Sequence, residues 1–158
     1  MSDIATYLTI DGQTYIAPQV DIAFRDGRGG SCPDYVALDF RRRHVVVVEE
    51  TEASNTAILK QRIKERASRW FIPLSIFLLK NQIVFEDWGM RILGIVRSDC
   101  MKRFEKGFDS EGDVSFVSIE DCTFPWNYWD KRRESGLPGG ETYVGHTVGE
   151  WASSKPIA

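Results

Sequence analysis

Four residues in one stretch of this chain carry the chemistry that can be read from it. Val45-Val46-Val47-Val48 runs directly into Glu49-Glu50-Thr51-Glu52, and upstream Gly29-Gly30-Ser31-Cys32-Pro33 leads into Asp34. An acid at the start of one strand and an acid at the end of its antiparallel neighbour are brought side by side. Carboxylates that converge and cannot all neutralise one another are a reason to suspect a divalent metal ion. The acids in question are Asp34 on the first strand and Glu49, Glu50 and Glu52 at the end of the second.

The elements that must position these groups are legible in outline. Tyr35 to Phe40 alternates as a strand, and Arg41-Arg42-Arg43 fills a solvent-exposed connection. Four consecutive valines mark a central strand buried on both faces. Ser54 and Asn55 are candidate N-caps for a helix to about Arg69, with Ile58, Leu59, Ile63, Ala67 and Trp70 as its apolar stripe. Pro73 interrupts that helix, a second one is expected over Leu74–Lys80, and Arg91–Val96 is the next strong strand. Asp11-Gly12 suggests a short hairpin between Tyr7–Ile10 and Thr14–Ile16. Val20–Phe24 fits a strand or a helix end, Met101–Phe108 a strand or a short helix, and Val114–Ile119 a last strand. A hairpin, then a helical crossover, then a parallel strand defines an α/β (α+β) domain with a mixed sheet flanked by helices. The expected division is a single domain over residues 1–124 and a partly irregular C-terminal extension over 125–158, whose aromatics Trp126, Tyr128 and Trp129 either fold back on the core or await a partner.

The pattern Gly-Gly-Ser-Cys-Pro33-Asp34, a strand and turn, then an apolar strand ending in Glu49, resembles the PD-(D/E)xK nuclease superfamily. Its Holliday-junction-resolvase-like branch, where a Gly/Ser-rich loop leads into the aspartate, is the nearest in flavour. The resemblance spans roughly residues 20–97. It implies a restriction-endonuclease-like fold, hydrolysis of DNA phosphodiesters, and Mg²⁺ (or Mn²⁺) held by Asp34 as first ligand and Glu49 as second, with Glu50 as the alternative if the register is shifted by one residue. It also implies a lysine two residues after the glutamate, on the same strand face, to orient or activate water. Thr51 stands there instead, and Glu52 stands two residues after Glu50. Some branches supply the cation, or a glutamine, from the neighbouring helix, which makes Lys60, Lys64 and Gln61 the candidates here. Two expectations follow: an active metal-dependent DNA endonuclease, or a nuclease-fold module that binds without cutting. Arg25, Arg28, Arg41 and Arg43 are the candidate phosphate contacts, and a homodimer is compatible with either.

Composition narrows the rest. With 42% hydrophobic and 27% charged residues over 158 positions, the chain has the make-up of a soluble globular domain. Net charge is -3, although residues Arg25–Arg69 hold ten Lys/Arg against seven Asp/Glu, so one basic face could still meet phosphate. Cys32, Cys100 and Cys122 are scattered, without a CxxC pair, and are expected to be free thiols. No secretory leader or membrane-spanning run is evident, so the expected location is cytoplasmic. His44 in the turn is expected to be solvated, and Gly27–Gly30 lacks the lysine and serine of a phosphate-binding loop.

Overall fold

The computed structural model describes residues 3–23, 29–123 and 125–154. Helix α1 (Asp3–Thr9) leads into strand β1 (Thr14–Pro18) and a small two-stranded ribbon, β2 (Ile22–Ala23) with β3 (Gly30–Ser31). The hairpin follows as β4 (Tyr35–Asp39) and β5 (His44–Glu50). Helix α2 (Ala57–Lys64), a π-helical turn (Ala67–Phe71) and α3 (Ile72–Lys80) then cross back to β6 (Gly89–Val96). Helix α4 (Met101–Glu105), β7 (Val114–Ser118), α5 (Ile119–Thr123), α6 (Pro125–Ser135) and α7 (Val148–Ala152) complete the order. The main sheet has five strands in the order β1-β4-β5-β6-β7; β4 is antiparallel to both β1 and β5, while β5, β6 and β7 are parallel. This is the mixed α/β sheet that the hairpin-then-crossover pattern implies.

Strand alternation divides the core into two layers. Val45, Val47, Met90 and Ile92 face the helices of the crossover, meeting Leu59, Ile63, Trp70 and Leu74. Val46, Val48, Leu93 and Ile95 face the other way, onto Ile4, Tyr7 and Leu8 of α1, Cys122 of α5 and Leu137. All four valines of β5 are fully inaccessible, as a strand covered on both faces requires. Gly94 of β6 lies under the Phe116 ring, which a Cβ there would meet at 2.6 Å.

Local departures from the sequence reading have physical causes. Residues 7–9 are helical, not the first arm of a hairpin, because Ile4, Ala5, Tyr7 and Leu8 bury one helical face. Asp11-Gly12 instead turns that helix into β1, with Gly12 at φ 71° and Asp11 accepting from the Gln13 amide at 2.9 Å. The long helix ends at Lys64, not near Arg69. Pro73 cannot donate to a carbonyl one turn back, and the chain passes it through the wider π turn, so α3 starts without a break. The N-cap of α2 is Thr56, without a side-chain hydrogen bond; Asn55, one residue earlier, accepts from the Ala57 amide at 3.0 Å. Met101–Glu105 is a short helix, and Val20–Phe24 contributes only the two-residue β2 among its described residues.

Helix α6, whose Trp126 and Tyr128 side chains lie outside the described residues, is anchored to the sheet through Arg132. Arg132 of α6 is buried together with Asp11, their side chains 0% and 2% exposed, and its guanidinium donates to Asp11 at 2.8 Å, to the Leu8 carbonyl at 2.8 Å and to Thr14 Oγ1 at 3.1 Å. Burial raises the Asp11 pKa, but the Gln13 amide and Arg132 outweigh it and the net shift is downward. On the other layer, the Trp151 ring of α7 packs edge-on against Phe71. Cutting back one member of a buried pair strands the other. Arg132→Ala is therefore expected to cost about 3–5 kcal/mol in urea unfolding; a loss under about 1 kcal/mol would show that α6 is not anchored this way.

Candidate functional site

The β4–β5 register decides the geometry. Tyr35 pairs with Val48, so the next pair outward is Asp34 opposite Glu49, at the open mouth of the hairpin. Asp34 Oδ2 accepts from the Glu50 amide at 2.8 Å, which fastens its carboxylate over the end of β5. Glu49 is only 6% exposed. Its carboxyl pKa is pushed up to about 8, first by burial and then by a hydrogen bond to Asp34 and by that residue's charge; the Arg62 cation and the Asp34 amide pull the other way. Burial and the neighbouring Asp34 thus favour the protonated form of Glu49.

Alternation also resolves Glu49 from Glu50. Glu49 follows Val45 and Val47 onto the α2 side of the sheet, and Glu50 follows Val46 and Val48 onto the α5 side, where its charge helps raise the Cys122 thiol after burial and Asp121. Glu50's own carboxyl is raised by burial, by Asp34 and by Glu52. Glu49 is thus the partner of Asp34, and Glu50 lies across the sheet plane from the pair.

The candidates for the missing cation are placed elsewhere. The Thr51 amide donates to the Ile95 carbonyl and its hydroxyl accepts from the Ala53 amide, so it closes its own turn. The Lys60 ammonium donates to the Arg103 carbonyl at 2.9 Å and sits over the Phe108 ring. Gln61 donates to Glu65, and Lys64 is exposed at the end of α2. Arg62, which the sequence reading passed over, is the α2 cation whose field reaches Glu49. Asp21 was likewise missed: the Cys32 thiol, raised by loss of hydration and then by Asp21, hydrogen-bonds to it and also feels Asp34 and Glu49. The signal for Arg62 was present in the helix spacing, since it lies beside Leu59 and Ile63, the buried positions of α2.

The arginine candidates separate into two groups. Arg25 and Arg28 lie outside the described residues. Arg41 and Arg43 lie at the closed end of the hairpin, about 20 Å along β5 from Glu49. Arg41 donates to the carbonyls of Arg133 and Glu134, and Arg43 pairs with Asp87 at 2.8 Å. Neither reaches a phosphate held at Asp34 and Glu49, because a hairpin turn and a hairpin mouth are opposite ends of one structure. His44 is not solvated: it accepts from Arg91 Nε at 3.2 Å under the Tyr143 ring, and burial, Arg91 and Arg42 push its pKa down to about 4. All three cysteines are free thiols.

Among the described residues, no group of three or more His, Cys, Asp or Glu side chains is arranged to hold a metal. That argues against a closed zinc or calcium cage, which takes four or more protein donors. Asp34 and Glu49 would supply two hard oxygen donors, and Mg²⁺ is commonly bound through one or two carboxylates while keeping its waters. The chain therefore falls in the class of mixed α/β domains with a carboxylate pair at the carboxyl end of a central strand. Comparison with protein-family models, with curated proteins and with solved structures finds no match to it.

Because Glu49 holds its proton more tightly in the folded chain than in the unfolded one, its contribution favours the native state below pH 4.5. That contribution is lost as pH rises from about 4.5 to about 8. In the absence of divalent cations, the wild type is expected to lose roughly 3–4 kcal/mol more than Glu49→Gln between pH 5 and pH 8. Parallel stability curves for the two proteins in urea would contradict the raised pKa of Glu49.

Proposed function

We propose that this chain is a Mg²⁺-dependent phosphodiesterase acting on DNA, a nuclease of the PD-(D/E)xK type. The observation that carries the reading is the opposition of Asp34 and Glu49 across the hairpin mouth, where burial and Asp34 raise the Glu49 pKa and a divalent cation would lower it. The strand order, in which an antiparallel hairpin is followed by a helical crossover to a parallel strand, supports the same resemblance. Asp34 and Glu49 are the residues that would hold Mg²⁺; bound there, the ion would polarise the phosphodiester and lower the pKa of an attacking water. Arg62 is a permanent cation and cannot serve as a base. Its charge opposes the rise in the Glu49 pKa without overcoming it, and would draw a phosphate toward the pair. Water adds its oxygen to phosphorus, a P–O ester bond breaks, and the departing oxygen takes up a proton. DNA as substrate and a second copy of the chain as partner belong to this proposal. As a coarser fact, no helix among the described residues is long and apolar enough to cross a membrane.

A second reading, DNA binding without cleavage, is favoured by one observation: Thr51 occupies the strand position of the lysine, and Lys60 is tied to Arg103. Incubating the purified chain with single-stranded, duplex and branched DNA in Mg²⁺ and in EDTA separates the two. Cleavage in Mg²⁺ is expected to fall on the order of 10²–10³-fold in Asp34→Asn and Glu49→Gln. A smaller drop, on the order of tenfold, is expected in Arg62→Ala, with partial recovery in Arg62→Lys. DNA binding that persists unchanged in EDTA, with every substrate left intact, would establish the second reading instead.

A further inference from the structure

β7 is the last strand of the sheet, and its outer edge is open. The Ile92 amide of β6 donates to the Asp113 carbonyl at 2.9 Å, and alternate residues of a strand turn their backbone groups to alternate sides. Ser115 and Val117 therefore bond to β6, whereas the N–H and C=O of Phe116 point outward, and among the described residues none pairs with them. Native sheets blunt such an edge with proline or charge. The opposite edge strand, β1, ends in Pro18, but Val114-Ser115-Phe116-Val117-Ser118 has neither. Two hollows of about 360 Å³ each lie along β7 and share Phe116, Gly139 and Thr142 in their walls. One reaches Glu105, Phe108 and Asp109 on the α4 side; the other reaches Tyr7, Asp121, Lys131 and Leu137 on the α1 and α6 side. Together they form a trench along the open edge.

We propose that this trench takes an extended, basic peptide of a partner protein, added beside β7 as a further strand. Strand addition draws its affinity from main-chain bonds to an open edge, and its specificity from the pockets that alternate side chains enter. Phe116 supplies the main-chain donor and acceptor. Charge selects the peptide. Arg132 in the trench wall is neutralised by Asp11 at 2.8 Å, and Glu141 faces Arg42 at 3.5 Å. Glu105, Asp109 and Asp121 remain, without ion pairs among the described residues, against the single Lys131. Lys or Arg side chains on the α4 side of the added strand meet Glu105 and Asp109. The apolar residues between them meet Tyr7, Val117 and Leu137 on the other side. The same acids repel a nucleic-acid backbone, so this surface is distinct from any that holds DNA.

The test needs neither metal nor DNA, so it stands or falls apart from the nuclease reading. The probe is the capped peptide Lys-Val-Lys-Val-Lys-Val, titrated into the full ¹⁵N-labelled chain and followed by NMR. It is expected to shift the amides of Phe116 and its β7 neighbours, and to slow exchange of the Phe116 amide proton by on the order of tenfold or more. Glu105→Lys combined with Asp109→Lys changes two exposed side chains and is expected to weaken binding by on the order of tenfold, with unchanged circular dichroism. N-methylating every lysine, or every valine, of the peptide keeps all its side chains. Only one edge of a strand meets β7, so one methylated version is expected to bind and the other to fail. No binding at millimolar peptide overturns the proposal, as do methylated versions that behave alike or equal binding of Glu-Val-Glu-Val-Glu-Val. So does a free chain whose Phe116 amide is already protected by self-association.

Discussion

The constraint on which the rest of the structure depends is the packing of β5. It is hydrogen-bonded between β4 and β6 and covered on both faces, with no accessible surface on any of its four valines. A slip of one residue would exchange the two apolar layers, so the core tolerates only one register. That register sets Asp34 directly opposite Glu49, where like charges on facing residues repel. The hydrophobic core therefore imposes an electrostatic conflict at its own edge. The conflict, together with burial, raises the Glu49 pKa, and a bound cation would ease it.

The sheet has two ends with different duties. At the carboxyl end of β5 stand Asp34, Glu49 and Arg62. At the other end arginines act as a clamp. Arg41 and Arg42 donate to the carbonyls of Arg133, Glu134 and Ser135, where α6 ends and the helix dipole favours cations. Arg91, 1% exposed, reaches from β6 to the carbonyls of Leu137 and Pro138, and the neutral His44 accepts its remaining Nε–H. This division explains why a basic hairpin turn is no guide to a phosphate site. Its charges are spent on fastening the C-terminal segment to the sheet, and they lie a strand's length from the acids.

Much of the fold was legible because β-branched runs and alternation report burial directly: the hairpin, the buried strand, the crossover and β6 all follow from Tyr35–Glu50 and Arg91–Val96. Helix α1 was hidden because a turn dipeptide outweighed a short helical stripe, and only its contact with the far face of the sheet tips the balance. Of the site, the pairing of Asp34 with a glutamate after the valines was readable. Which glutamate it is depends on strand register, which tertiary packing sets. The role of Arg62 was obscured by looking for a lysine: residue type was weighed before helix face. The burial of Arg91, Arg132 and His44 had no local signal, since each is made tolerable by carbonyls and carboxylates distant in sequence.

The central claim is that Glu49, buried beside Asp34, has a raised pKa that a divalent cation would lower, and its most direct test is the titration of Glu49 itself. Following the Glu49 side-chain carboxyl carbon by NMR across pH, with and without saturating Mg²⁺, reads that pKa without reference to any substrate. The account predicts a midpoint near 8 in the absence of cations and one below the ordinary carboxylate value of 4.5 in their presence. A midpoint near 4.5 that Mg²⁺ does not move would contradict it.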